Sequence, residues 1–558
     1  MNNYDTITIY CKNNKTYTDV PIGSSLLEIY ELLGGNVLHY RPMNAQVNNK
    51  VEGLNYRCWR SKDVKFLDCT HPSGFRTYVR SICYVLSKAA HDMYPGVKLN
   101  LEHPISKGYY CALANGEKLD PEAIGKIKEQ MWRIIRRDLP FDLKNVRTED
   151  AVRLFRSRGM MDKALLIETA GMAYTSYYEM EGYENFFYGC LVPSSGYIHL
   201  FDLIPYEDGL LIRVPQRDNP YELEPVIEQK KMFAAYKEHL TLQRTLNLND
   251  VGDLNRAIEN GLTQEVIMVS EAVQEKQVAR IAVEIAERYK EGVRIVLISG
   301  PSSSGKTTFC KRLQVQLMTN LLHPLGISLD DYYVNRVDTP KDEDGEYDFE
   351  SLYAIDLPYF DRDMRRLIAG EEIDLPTYDF NSGMRIYRGQ KLKMRENSIL
   401  LLEGIHGLNP ELVSEVEDKY IYRVYVSALT TISLDGYNWI PTTDNRLLRR
   451  IVRDYRFRGY TAKETISRWP SVRRGEDKWV FPYQENADAT FNSAMLYELA
   501  VLKKYAVPML NEVKQVDTEN AEAYRLIRFL QYFNSIPDEE LPGTSLLREF
   551  LGGGMFKY

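Results

Sequence analysis

The stretch ISGPSSSGKTTFC, Ile298 to Cys310, decides the reading of this chain. It holds Gly300, four intervening residues, then Gly305, Lys306 and Thr307, the G-x-x-x-x-G-K-[ST] spacing of a phosphate-binding loop. The preceding VRIVLIS is short, apolar and β-branched, as a buried parallel strand should be. From Lys306 the apolar residues Phe309, Leu313, Leu317 and Leu321 recur at helical spacing. A glycine loop between a strand and a helix N-terminus can aim backbone N–H groups at phosphate oxygens. Gly300, Ser302, Ser303, Ser304, Gly305, Lys306, Thr307 and Thr308 are the candidate nucleotide-binding residues, with Lys306 supplying charge and Thr307 a hydroxyl for Mg²⁺.

Two further strands end in acids. LGISL runs into Asp330 and Asp331, and SILLL into Glu403. Ligands of an open parallel sheet collect at the carboxyl ends of its strands, so all three endings are expected at one crevice. A guanine-reading N-K-x-D motif is absent, which argues against a GTPase. A kinase needs an acid to take the acceptor's proton, a metal ligand, and arginines on the transferring phosphoryl group. Asp330 and Glu403 supply the acids. In DNRLLRRIVRDYRFRGY, Arg446, Arg449, Arg450 and Arg453 share one helix face, with Leu447, Leu448, Ile451 and Val452 on the other. That helix is expected to close over the loop as a lid that excludes water.

Over about Val293 to Val513 the chain resembles the uridine kinase and phosphoribulokinase family, through GPSSSGKTT, ISLDDYY, PTYDF, LLLEGIHGL and RLLRRIVRDYRFRG. The resemblance implies a kinase that moves the γ-phosphate of ATP to a nucleoside 5′-hydroxyl. It makes Asp330 the catalytic acid, Thr307, Glu403 and Asp330 the magnesium site, and Arg446 and Arg449 the lid arginines, Arg446 also reaching the substrate. Asp348 matches the acid on the ribose hydroxyls, Tyr333 and Tyr378 the aromatics beside the base, and Asp488 a residue near the adenine. Pyrimidine kinases of the family carry a histidine where this chain has Gly383, and a glutamine that aligns with Glu464. Loss of an imidazole donor leaves room and removes a base-discriminating hydrogen bond, so a purine nucleoside or another small hydroxyl compound stays open beside uridine and cytidine.

The front of the chain resembles other modules. Residues 1–70 are similar to a TGS domain, a small β-grasp fold, and TITIY, GSSLLEIYELLG and VKFLD predict a small mixed sheet with one helix capped by Ser24 or Ser25. Residues 71–225 are similar to the α+β editing-type domain of threonyl-tRNA synthetases, but Arg80 and Tyr84 stand where that family has H-x-x-x-H. Hydrolytic editing or zinc binding is therefore not expected there, and a scaffold or a contact with RNA, tRNA included, is. Residues 226–291 read as a helical linker and 292–558 as the kinase domain with a helical tail, giving a multidomain α/β chain. An RNA-associated P-loop ATPase switch is the competing functional reading.

Composition bounds these readings. With 44% hydrophobic and 27% charged residues among 558, the chain should fold rather than stay disordered. No apolar run is long enough to span a bilayer, and MNNYDTITIY lacks the blocks of a signal peptide, so a cytoplasmic protein without membrane contact is expected. Seven scattered cysteines without a C-x-x-C pair should be reduced thiols. A formal charge of -8 disfavours a large nucleic-acid footprint while allowing a local basic patch. Nothing in the sequence fixes the oligomeric state.

Overall fold

The structure is a computed structural model that describes residues 6–343, 345–380 and 382–557. Strand Thr6–Cys11 buries Ile7, Ile9 and Cys11 on alternate positions, the signature of a sheet with one face on a core. It pairs antiparallel with Thr16–Pro21 and parallel with Lys62–Leu67, which leads to Asn44–Val47 and Lys50–Gly53. The single helix Leu26–Leu32 starts at a capping box in which Ser25 and Glu28 satisfy each other's backbone N–H. This is the mixed sheet with one helix that the sequence predicts.

Helix Pro72–Met93 follows at once, begun by His71 as cap and Pro72 in the first turn. It packs with helix Pro121–Arg136 and with an antiparallel sheet in the order Asp202–Tyr206, Gly209–Arg213, Gly108–Leu113, Leu99–Ile105. A second antiparallel sheet joins Tyr183–Asn185, Tyr174–Met180 and Asp142–Arg147. One continuous apolar cluster runs from Ile7 to Val214, so the two front modules share a core.

Helices Lys230–Thr245, Val251–Glu259 and Thr263–Glu291 carry the chain onward. The last is not a free bridge. Its Val278, Ile281 and Ile285 are buried in the same cluster as Phe309 and Leu313 of the loop helix. No helix among the described residues is long and apolar enough to cross a membrane.

Five parallel strands form the sheet that positions the site, in the order His323–Ser328, Ser398–Glu403, Ile295–Ser299, Ile421–Ser427, Ala489–Asn492. Ile295–Ser299 is central and wholly buried, which explains its unbroken apolar run. Ser328 and Ile298 both lie level with Glu403, so the three strand endings meet at one edge as expected. PTYDF lies on a separate hairpin, Glu372–Asp379 with Met384–Lys393.

The tail folds back over the molecule. Helix Asn520–Leu530 reaches the front module, where Asn520 Nδ2 donates to Asn49 O at 3.1 Å and Arg76 pairs with Glu522 at 3.2 Å. Arg525 of the same helix grips Asp444 through two bonds of 2.6 and 2.8 Å.

Candidate active site

The loop geometry explains its glycines. Gly305 takes φ +87°, a left-handed conformation, and caps helix Lys306–Thr319. A Cβ on Gly300 would stand 2.1 Å from the carbonyl oxygen of Val426, so no side chain fits there. The hydroxyl oxygens of Ser303 and Ser304 are buried in the loop without a hydrogen-bond partner, a polar cradle that suits an anion's oxygens. Lys306 Nζ folds onto its own loop, donating to Gly300 O at 2.8 Å and Pro301 O at 3.2 Å.

Acids crowd this lysine. Thr307 Oγ1 lies 3.1 and 3.2 Å from the two oxygens of Glu403. Burial raises Glu403 to about 7, with Lys306 opposing. Burial likewise raises Asp330, against the pull of its Tyr333 hydrogen bond, Lys306 and Arg458. Glu350, two residues beyond Asp348, is raised to about 7 by burial and by Glu476. Carboxylates raised in this way beside Lys306 are what a divalent ion would favour in their charged form. A hydroxyl and a carboxylate side by side are a hard-oxygen donor set that fits Mg²⁺. Among the described residues no group of three or more His, Cys, Asp or Glu could hold a metal by itself, so phosphate and water oxygens would complete the shell.

The arginine helix, Thr442–Phe457, lies directly on the loop. Arg446 Nη1 donates to Ser302 O at 3.1 Å, Arg449 Nη1 to Ser303 O at 3.3 Å, and Arg450 Nη1 to Ser302 Oγ at 2.8 Å. Neither Arg446 nor Arg449 is on a solvated face, since their exposures are 1% and 0%. Arg446 is paired with Glu476, and Arg449 with Glu498. Arg453, the fourth member of the stripe, is held by Asp454 instead.

On the acceptor side, Tyr333 and Tyr378 meet edge to face at 5.5 Å, with Phe380 beside both. Asp348 lies in the adjoining loop, half-buried, its Oδ1 accepting the Glu350 N–H at 3.1 Å.

The structure gives three of the sequence-derived positions specific surroundings. Asp488, matched to a residue near the adenine, lies at the start of the last strand of the sheet. Its carboxylate accepts the Arg423 N–H at 2.7 Å just before strand Ala489–Asn492, and it is the far end of that strand that faces the loop. Gly383 does not leave room in a base pocket. It has φ +69°, and an added Cβ would stand 2.8 Å from the Arg336 side chain, which fills the space. Glu464 caps helix Ala462–Trp479 in a capping box with Thr461 and is exposed. Conversely, Glu476 and Glu549 carried no sequence signal. They lie 174 and 241 residues from the loop atoms they bind, in stretches without a recognisable motif.

Residues 295–499, which contain all of this machinery except Glu549, match the Phosphoribulokinase / Uridine kinase family. The part of the chain that holds the loop thus carries a match to the phosphoribulokinase/uridine kinase family. The uridine kinase of Borrelia duttonii is 29% identical over 228 residues, which are 38% of this chain and 96% of that protein. A solved structure described as a possible uridine kinase from Bacillus stearothermophilus shares 18% identity with a TM-score of 0.27, covering 39% of this chain and 98% of that one. Ahead of that part, the N-terminal region matches the threonine–tRNA ligase of Syntrophomonas wolfei, 30% identical over 179 residues. The match takes in 32% of this chain and 28% of the ligase, so the chain spans little more than a quarter of that relative.

In that front region Arg80 and Tyr84 fill their surroundings. Tyr84 is wholly buried among Phe141, Phe187 and Tyr183, with its hydroxyl on Tyr183 O at 3.0 Å. Arg80 donates twice to Cys190 O, at 3.2 and 3.1 Å.

Proposed function

We propose that this chain transfers the γ-phosphate of ATP to the 5′-hydroxyl of a nucleoside, giving the nucleoside monophosphate and ADP. The observation that carries the reading is the convergence on one loop of Lys306, the strand-end acids Asp330 and Glu403, and the arginine helix, with an aromatic pair and Asp348 alongside. A phosphate-binding switch has no need of that acceptor side.

In this reading the loop amides, the Ser303 and Ser304 hydroxyls and Lys306 bind the phosphates. Thr307 and Glu403 hold Mg²⁺, which neutralises phosphate charge when bound. Asp330 accepts the proton of the attacking hydroxyl as its oxygen bonds to the γ-phosphorus and the bond to the bridging oxygen breaks. Arg446, Arg449 and Arg450 stand where charge on the moving phosphoryl group is offset, and the closed helix keeps water from competing as acceptor. Tyr333, Tyr378 and Asp348 hold the nucleoside. Arg336 in place of an open pocket at Gly383 adds a donor to its edge, so base preference need not follow that of the pyrimidine kinases.

The test is ATP consumption by the full chain with Mg²⁺ against a panel of purine and pyrimidine nucleosides, products identified by mass, with Lys306→Ala as the blank. A nucleoside monophosphate formed only by the wild type is expected. ATP binding with no phosphorylated product from any nucleoside would sink the reading. The likeness of the front region to a threonine–tRNA ligase supports a second function for those modules, contact with RNA, which tRNA binding by the isolated and nucleotide-bound protein would test.

A further inference from the structure

The donors that a phosphate would use are already in use. In the first turn of a helix the backbone N–H groups have no intrahelical partner and attract anions. At the loop helix, the Thr308 N–H donates to Glu549 Oε2 at 3.0 Å, and the Thr308 hydroxyl donates to the same oxygen at 2.6 Å. Glu549 comes from the end of the chain, in the short helix Arg548–Leu551. Its neighbours reinforce the contact. Leu546 packs over the loop so closely that a Cβ on Gly305 would meet its side chain at 2.7 Å. The Phe550 ring lies 5.1 Å from the guanidinium carbon of Arg449, the lid arginine that also touches Ser303 O. A carboxylate, an apolar side chain and an aromatic ring from one segment thus cover the loop, its helix and its lid.

We propose that residues 545–551 form an autoinhibitory strap, in which Glu549 holds the anion-binding donors of Thr308 and must leave when a nucleotide's phosphates arrive. The proposal rests on the reading of this loop as the nucleotide site. A carboxylate and a phosphate oxygen seek the same donors, and two anions cannot share them at hydrogen-bond distance without strong repulsion. Gly543 precedes the strap, and Gly552 and Gly553 follow it at φ +77° and +70°, so the chain on its far side already occupies conformations that favour glycine. Arg548 ties the strap's base to the carbonyl oxygens of Asp538 and Leu541, at 2.9 Å each.

A purely structural role for Glu549 makes the opposite forecast. As a permanent helix cap it would stabilise the loop, and its removal would weaken nucleotide binding. As a competitor, its removal strengthens binding.

The experiment measures the affinity of the full chain for a fluorescent N-methylanthraniloyl ATP with Mg²⁺, in wild type and in Glu549→Ala. In parallel, hydrogen exchange of residues 545–551 in the wild type is followed with and without ATP, which needs no variant to fold. At least fivefold tighter binding by E549A, together with faster exchange of the strap when ATP is bound, is expected. Equal or weaker binding by E549A, or exchange of the strap that slows or stays constant on ATP binding, would overturn the strap alone. Absence of nucleotide binding in both proteins would overturn the nucleotide reading and the strap with it.

Discussion

The side-chain hydroxyl of Thr307 sits between the two carboxylate oxygens of Glu403, at 3.1 and 3.2 Å, although 96 residues separate them. The pairing follows from strand register, since Glu403 ends the strand that lies level with Ile298, just before the loop. A hydroxyl and a carboxylate held this way form the oxygen pair assigned to Mg²⁺. Glu403→Gln is expected to reduce kcat by about 10²- to 10³-fold, the range for losing one preorganised electrostatic group. It should also raise the Mg²⁺ concentration needed for half-maximal activity. Activity titrated against Mg²⁺ in both proteins checks this, and an unchanged magnesium dependence would remove Glu403 from the metal site.

Asp330 is half-buried at a strand end beside Tyr333, close enough to Lys306 and Arg458 for both to influence its charge. Replacing it with asparagine preserves shape and removes proton acceptance. Asp330→Asn is expected to lower transfer by about 10²- to 10⁴-fold while ATP still binds within about threefold of the wild-type affinity. Calorimetric ATP binding beside product formation distinguishes a lost base from a collapsed pocket.

Arg525 joins Asp444 of the arginine helix to Glu522, which burial would raise but Arg525 and Arg76 hold down to about 2. Removing Arg525 leaves the buried Asp444 carboxylate without its ion pair, while Glu522 keeps Arg76. Arg525→Ala is expected to destabilise the fold by about 3 kcal/mol and to loosen the arginine helix. Denaturant unfolding checks the first expectation, and accessibility of Arg446 to a guanidinium-modifying reagent the second.

How far the sequence carried this picture differs from one element to the next. The loop was legible because its function needs glycines at fixed spacing, and strand Ile295–Ser299 and helix Lys306–Thr319 frame it, although Leu321, counted in the helical periodicity, lies past the helix end and is exposed. Convergence of Asp330 and Glu403 was legible because a parallel sheet has only one edge where its strands end. The arginine stripe was legible as a face, but its burial was not. Arg446 and Arg449 are covered by Glu476 and Glu498, and a charge's partner is set by tertiary packing rather than by spacing. Arg336 filling the space at Gly383 joins two loops that share no pattern.

His103 offers a test of the front module that is independent of the kinase site. Burial alone lowers it to about 4, and its ring stacks on Tyr236 at 4.7 Å. The folded protein keeps this imidazole neutral, whereas the unfolded chain protonates it near its ordinary value of 6.5. Its neutral burial therefore costs no stability above pH 6.5, and stability is lost as pH falls from 6.5 toward 4, where the loss levels off. At about 1.4 kcal/mol for each pH unit, the loss approaches roughly 3 kcal/mol. Melting temperatures from pH 7 to pH 4 are expected to fall less steeply in His103→Gln than in the wild type.

The covering of the loop by its own distant tail also bears on synthesis. Chains emerge from the ribosome amino end first, at roughly 5–20 residues per second. The Asn49 amide bonds to the carbonyl of Gln515, 466 positions later, so the front sheet waits for almost the whole polypeptide before its last contacts can form. The parallel sheet and its glycine loop, by contrast, are complete once Asn492 is out. Glu549 follows Asn492 in synthesis, so its carboxylate can reach Thr308 only after the sheet and its loop have been made.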